Sequence, residues 1–210
     1  MKRIFSLLAL CLLLGLSATA ATLSGAREKE VLAELNSAAS AMRTMQCDFV
    51  QTKYLSLLSD KMVSEGRMSY QRPDKLRWEY VKPYSYLSVF NGTKVYVGNE
   101  QRRDVIDTNS NKIFKEVARI MMNTVTGKAL SSPTDFTTTV SETPSAWEVT
   151  LVPRKKELRG MFTKIELTFD RSKRMISEIK LYEKNGDHTD ISLRNIIVDK
   201  AVDESLFTIH

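Results

Sequence analysis

The chain changes its hydrophobic period several times. From Arg27 to Met45 apolar residues recur at helical spacing. Val31, Leu32, Leu35, Ala38, Ala39, Met42 and Met45 form one stripe, and Glu28, Glu30, Glu34 and Arg43 fall off it. Such a stripe predicts an amphipathic helix, and the acids in its first turn suit the positive end of the helix dipole. From Cys47 onward the period becomes two. Cys47, Phe49 and Gln51 alternate with Asp48, Val50 and Thr52; Gly66, Met68, Tyr70 and Arg72 share a face; Leu76, Trp78 and Tyr80 alternate with Lys75, Arg77 and Glu79. Tyr86 to Phe90 and Thr93 to Val97 flank Asn91-Gly92, a dipeptide suited to a type I′ hairpin turn.

Helical spacing returns between Lys112 and Asn123, with Ile113, Phe114, Val117, Ile120 and Met121 on one face, until Gly127 and Ser131-Ser132-Pro133 break it. Alternation then resumes through Phe136, Thr138 and Val140, through Trp147, Val149 and Leu151, and through Ile165, Leu167 and Phe169. A turn at Asp170 to Lys173 leads to Ile179 and Leu181, Asn185-Gly186 leads to Ile191 and Leu193, and a short segment with Leu206 and Phe207 ends the chain. The pattern predicts ten or eleven strands. An antiparallel sheet with one dry face must curl or be covered, and two amphipathic helices offer the cover. The expected class is mainly β (α+β), a strongly curved sheet wrapped around helices.

The first twenty residues read as an export signal. Lys2 and Arg3 precede an apolar stretch from Ile4 to Leu16, and Ala18-Thr19-Ala20 fits a cleavage site. The stretch is too short to span a bilayer, which takes about 20 residues. Cys11 follows Leu10, where a lipid-attachment site needs a small residue, so a cut after Ala20 is expected instead. Losing Lys2 and Arg3 leaves 29 basic residues against 25 acidic, a net charge of +4. That balance is too mild to argue for nucleic acid. No repeat or composition break divides residues 21–210, which read as one domain.

Cys47 alone remains after processing, so no internal disulfide forms. It reads either as a small buried hydrophobe or as a reactive thiol, and neighbouring Asp48 disfavours the thiolate. The two histidines, His188 and His210, build no convincing catalytic constellation, and nucleophile, phosphate-loop and zinc motifs are absent. Neither an enzyme nor a cofactor is expected. Arg154-Lys155-Lys156 and the group Arg171, Lys173 and Arg174 are expected at hairpin tips, as solvated loop charge or as a docking patch.

Particular residues carry a resemblance. Phe49-x-Gln51 after an N-terminal helix, Gly66 opening a strand, Arg72-Pro73 before Leu76-Arg77-Trp78, then Pro83, Gly92, and Asp203 ahead of Leu206-Phe207 resemble the LolA family. The match is dense from Phe49 to Gly92 and beyond that is mainly an order of strands. The resemblance implies a LolA/LolB-like unclosed barrel of about eleven antiparallel strands with a helical lid. It implies a periplasmic, monomeric carrier. Such a carrier takes acylated lipoprotein from an inner-membrane lipoprotein-releasing ABC complex and moves it to the outer membrane, and whether an acceptor receives it there is left open. Phe49, Met68, Tyr70, Leu76, Trp78, Tyr80, Ile113, Phe114, Val117, Ile120 and Met121 would then line the acyl cavity, although the helical stripe from Ile113 to Met121, Leu76 and Trp78 also read as ordinary core. Strand parity directs Arg72 into the interior. The resemblance makes it a latch on the lid; the other reading is a strand-end side chain reaching water. A sensor or an acceptor on the same barrel, and a filled β-protein that binds nothing, remain alternatives.

Overall fold

The computed structural model describes residues 20–208, apart from 59, 100, 110–118, 120–121, 124–129 and 131–133. A helix, α1 (Gly25–Ala41), is followed by β2 (Thr44–Leu55), β3 (Asp60–Gln71), β4 (Lys75–Lys82), β5 (Tyr86–Asn91), β6 (Lys94–Gly98) and β7 (Arg103–Asp107). Then come β8 (Phe136–Glu142), β9 (Ala146–Pro153), a short helix α2 (Lys156–Met161), β10 (Phe162–Asp170), β11 (Met175–Glu183) and β12 (His188–Val198). A two-residue β1 (Ala21–Thr22) precedes α1. All twelve strands form one antiparallel sheet in the order β1-β8-β9-β10-β11-β12-β2-β3-β4-β5-β6-β7. No ladder joins β1 to β7 among the described residues, so the barrel stays open along one side.

The expected alternation sets which side faces inward. One large core takes Cys47 and Phe49 from β2, Met68 and Tyr70 from β3, Leu76 and Trp78 from β4, and Ile191 and Leu193 from β12, with Trp147 also inside. Val31 and Leu35 of α1 close it. Phe90 joins this core while its neighbour Val89 faces outward, where Phe207 covers it and Tyr96. Phe207 sits on a 3-10 turn, Glu204–Phe207, and the Asp203 side chain caps that turn by accepting from Ser205 N–H.

Several elements differ from the periodicity. Met45 is not on the helix: α1 stops at Ala41, and Met45 pairs with Tyr70 inside β2, sharing parity with Cys47 and Phe49. The β5–β6 loop is Gly92-Thr93, because Asn91 stays paired with Lys94. The Asn91 amide holds it there by donating to the Phe207 carbonyl at 3.1 Å, and Gly92 takes φ 59 at the first loop position, as a II′ loop requires. Arg154-Lys155-Lys156 is not a hairpin tip, since Lys156 begins α2. A Cβ added at Gly160, interior to α2, would meet nothing within 4 Å, so Gly160→Ala should stabilise the protein by about 0.5–1 kcal/mol in chemical unfolding.

Alternating turns give the barrel two rims. The upper rim carries the β2–β3, β4–β5, β9–β10 and β11–β12 connections. The lower rim carries the β3–β4, β5–β6, β8–β9 and β10–β11 turns.

Candidate functional site

Helix α1 lies across the lower rim. Arg27, near its N-terminus, bonds Glu142 at the end of β8 at 3.1 Å. That guanidinium holds the Glu142 carboxyl below the usual carboxylate range. Glu34 pairs with Arg174 of the β10–β11 turn, and beyond the helix the Arg43 N–H donates to Asp199 Oδ1 at 2.8 Å. The Ser40 carbonyl, in the last turn, accepts from the Arg72 guanidinium. The helix is thus tied to the rim by polar contacts at both ends, and only Val31 and Leu35 are fully buried along it.

Parity fails for Arg72. Strand β3 ends at Gln71, and Arg72 opens the turn to β4 with its backbone N–H donating to the Arg43 carbonyl at 2.8 Å. Its side chain is exposed rather than interior, because the chain has left the pleat before reaching it. The guanidinium is satisfied at the helix end instead.

Phe49, Met68, Tyr70, Leu76 and Trp78 are buried together on the concave face, with Tyr80 half-buried at its margin. Phe49 stacks on Trp78 with ring centres 4.3 Å apart and meets Tyr80 edge-on at 5.3 Å. Tyr80 donates its hydroxyl to Gln51 Oε1 at 2.9 Å. Ile113, Phe114, Val117, Ile120 and Met121 lie outside the described residues. Between α1 and the lower rim a cleft of about 150 Å³ remains, lined by Leu35, Ala38, Met42, Met45, Phe169 and Ile176 among others. Ligand pockets hold about 300–1,000 Å³, so this cleft as it stands is smaller than one.

Cys47 is buried in the same wall, and burial, with Asp48 next, pushes its thiol up to about 12. Of the two readings, the inert one holds. Alkylation of the native protein at neutral pH should be slow and should become fast only on unfolding; rapid labelling of the folded state would contradict this.

One residue gave no sequence signal. Asp135, before β8, is 3% exposed and pairs with Lys155 at 2.7 Å and with Arg119. Burial opposes its ionisation, but the hydrogen bonds from Lys155 and Arg119 outweigh it and lower the pKa. A lone acid among threonines carries no pattern; only the fold brings Arg119 and Lys155 to it.

The family model described as outer membrane lipoprotein carrier protein LolA matches residues 40–210. An outer-membrane lipoprotein carrier protein of Chromobacterium violaceum is 32% identical over 89 residues, 42% of either chain. One from Methylococcus capsulatus is 27% identical over 174 residues, covering 82% of this chain and 80% of the other. Among solved structures, the Pseudomonas aeruginosa MucA/MucB complex matches with a TM-score of 0.53 at 12% identity, over 88% of this chain and 62% of that one, a likeness of fold.

Proposed function

Because the chain belongs to the LolA family of outer membrane lipoprotein carriers, we propose that it shields the acyl chains of a lipoprotein inside its barrel and moves them across the periplasm. The family is one of carriers, not enzymes. The observation that carries the reading is the pairing of a continuous apolar concave face with a helix laid over its mouth by two fully buried side chains and a set of exposed polar ties.

Energetics suit a helix that lifts. Exposing Val31 and Leu35 costs about 1.5–3 kcal/mol each. Each acyl CH₂ removed from water returns about 0.8 kcal/mol, so roughly four to eight methylenes offset the opening. Loading then replaces α1 at the mouth of the concave face. Unloading lets the helix return.

In this reading Arg72 is the latch, and Ser40 is what it grips. An exposed guanidinium–carbonyl bond contributes on the order of 1 kcal/mol, about a five-fold bias toward the empty closed state. Arg72→Leu should load cargo as the wild type does and hand it on about five-fold more slowly. Hand-off at the normal rate would remove the latch. In this route an inner-membrane ABC complex is the donor and the outer membrane is the destination. The test of the whole reading offers inner-membrane vesicles bearing an acylated lipoprotein to the purified protein. A soluble one-to-one complex supports it, and lipoprotein that stays in the membrane at saturating carrier rejects it.

A further inference from the structure

The upper rim, opposite α1, carries a surface that does not depend on what the interior holds. Three connections meet there. Ser56, at the base of the β2–β3 turn, donates its backbone N–H at 2.9 Å and its hydroxyl at 3.1 Å to Asp187 Oδ1 in the β11–β12 turn. Lys184 N–H donates in turn to the Met161 carbonyl at the end of α2, at 3.1 Å. On this pinned base the β2–β3 turn holds Leu57 and Leu58 out in water, 94% and 69% exposed. Single exposed leucines are ordinary, but two adjacent ones on a turn fixed by non-local bonds are a specified feature.

Directly behind the turn, an aromatic row crosses the outer face. Tyr54 stacks on His188 with ring centres 4.3 Å apart, His188 lies 5.9 Å from Tyr182, and Lys164 Nζ sits 4.2 Å over the Tyr182 ring. The register makes these cross-strand neighbours on β2, β12, β11 and β10. Charge follows the same side. Glu183 and Asp187 are taken up by Lys53, and Asp135 by Lys155. Lys61, Lys156, Arg159 and Lys184 make no ion pair among the described residues, against only Asp60 and Glu157 in the same condition, so the outward charge here is basic.

An apolar tip, a collar of amphipathic rings and a surplus of cations suit the boundary between water and anionic lipid. A protein interface would instead be depleted of lysine at its centre. We propose that the upper rim docks on an anionic phospholipid surface, with Leu57 and Leu58 entering the headgroup–acyl boundary. The lysines supply attraction, and the rings settle at headgroup level.

Flotation of the purified protein with protein-free vesicles tests this. Binding is expected to phosphatidylethanolamine–phosphatidylglycerol vesicles, weakening in high salt, and not to phosphatidylcholine vesicles. Leu57→Ser with Leu58→Ser should keep the unfolding midpoint and bind about ten-fold more weakly. Leu57→Trp should blue-shift on binding and be quenched by brominated acyl chains, since Trp78 and Trp147 are buried and give a constant background. A wild type that never floats with anionic vesicles overturns the proposal. So does a serine variant that floats equally well, or binding confined to membranes whose proteins are intact.

Discussion

Gly66→Ala is expected to cost about 3 kcal/mol and to lower the melting temperature by roughly 6–12 °C. Strand interiors ordinarily tolerate alanine, so the cost comes from this site. A Cβ at position 66 would overlap both the Glu79 backbone oxygen and Phe49 Cζ. The first contact belongs to a ladder between β3 and β4, whose register shifts between Glu65 and Gly66. The second belongs to the ring that fills the space a side chain would take. Relief requires β3 to part from β4 or Phe49 to leave its stack. Thermal unfolding followed by circular dichroism measures the loss; a change under 2 °C would show that the ring and strand yield freely.

The second large effect is Phe49→Ala. Phe49 is fully buried, stacked on Trp78 and edge-on to Tyr80. Truncation removes that burial and leaves a void under Gly66, for an expected loss of about 3–5 kcal/mol in denaturant unfolding. The two substitutions should not add. With the ring gone, alanine at 66 meets only the Glu79 oxygen, so the double variant should be more stable than the sum predicts by about 1 kcal/mol. Strict additivity would place the whole clash in the backbone and leave Phe49 a bystander.

Alternation made most of the sheet legible. Leu76, Trp78 and Tyr80, or Val149 and Leu151, need no tertiary information to be assigned a face, because a strand's side chains turn over every residue. What escaped has physical reasons. β1 spans two residues, too few to display any period. β7 reads Arg-Asp-Val-Ile-Asp, at the sheet's edge, where one apolar pair does not alternate. Met45 sits three residues after Met42, so helical spacing fits it as well as strand parity with Cys47 does, and the end of α1 decides. For Arg72 the periodicity is extended one residue too far, past the end of β3, and the inferred direction reverses. The interior wall was therefore readable in sequence, while the contacts that hold α1 over it were not. Arg72 to Ser40, Glu34 to Arg174 and Arg27 to Glu142 join positions that no local pattern connects.

Among the described residues no ladder joins β1 to β7, and that has a consequence for cargo size. In a closed barrel the strand number and shear fix the bore, and widening it means breaking hydrogen bonds around the whole circumference. Here the seam between Ala21–Thr22 and Arg103–Asp107 can spread while the other ladders stay intact. One chain can thereby adjust its girth to guests of unequal thickness, with edge strands of only two and five residues flanking that side.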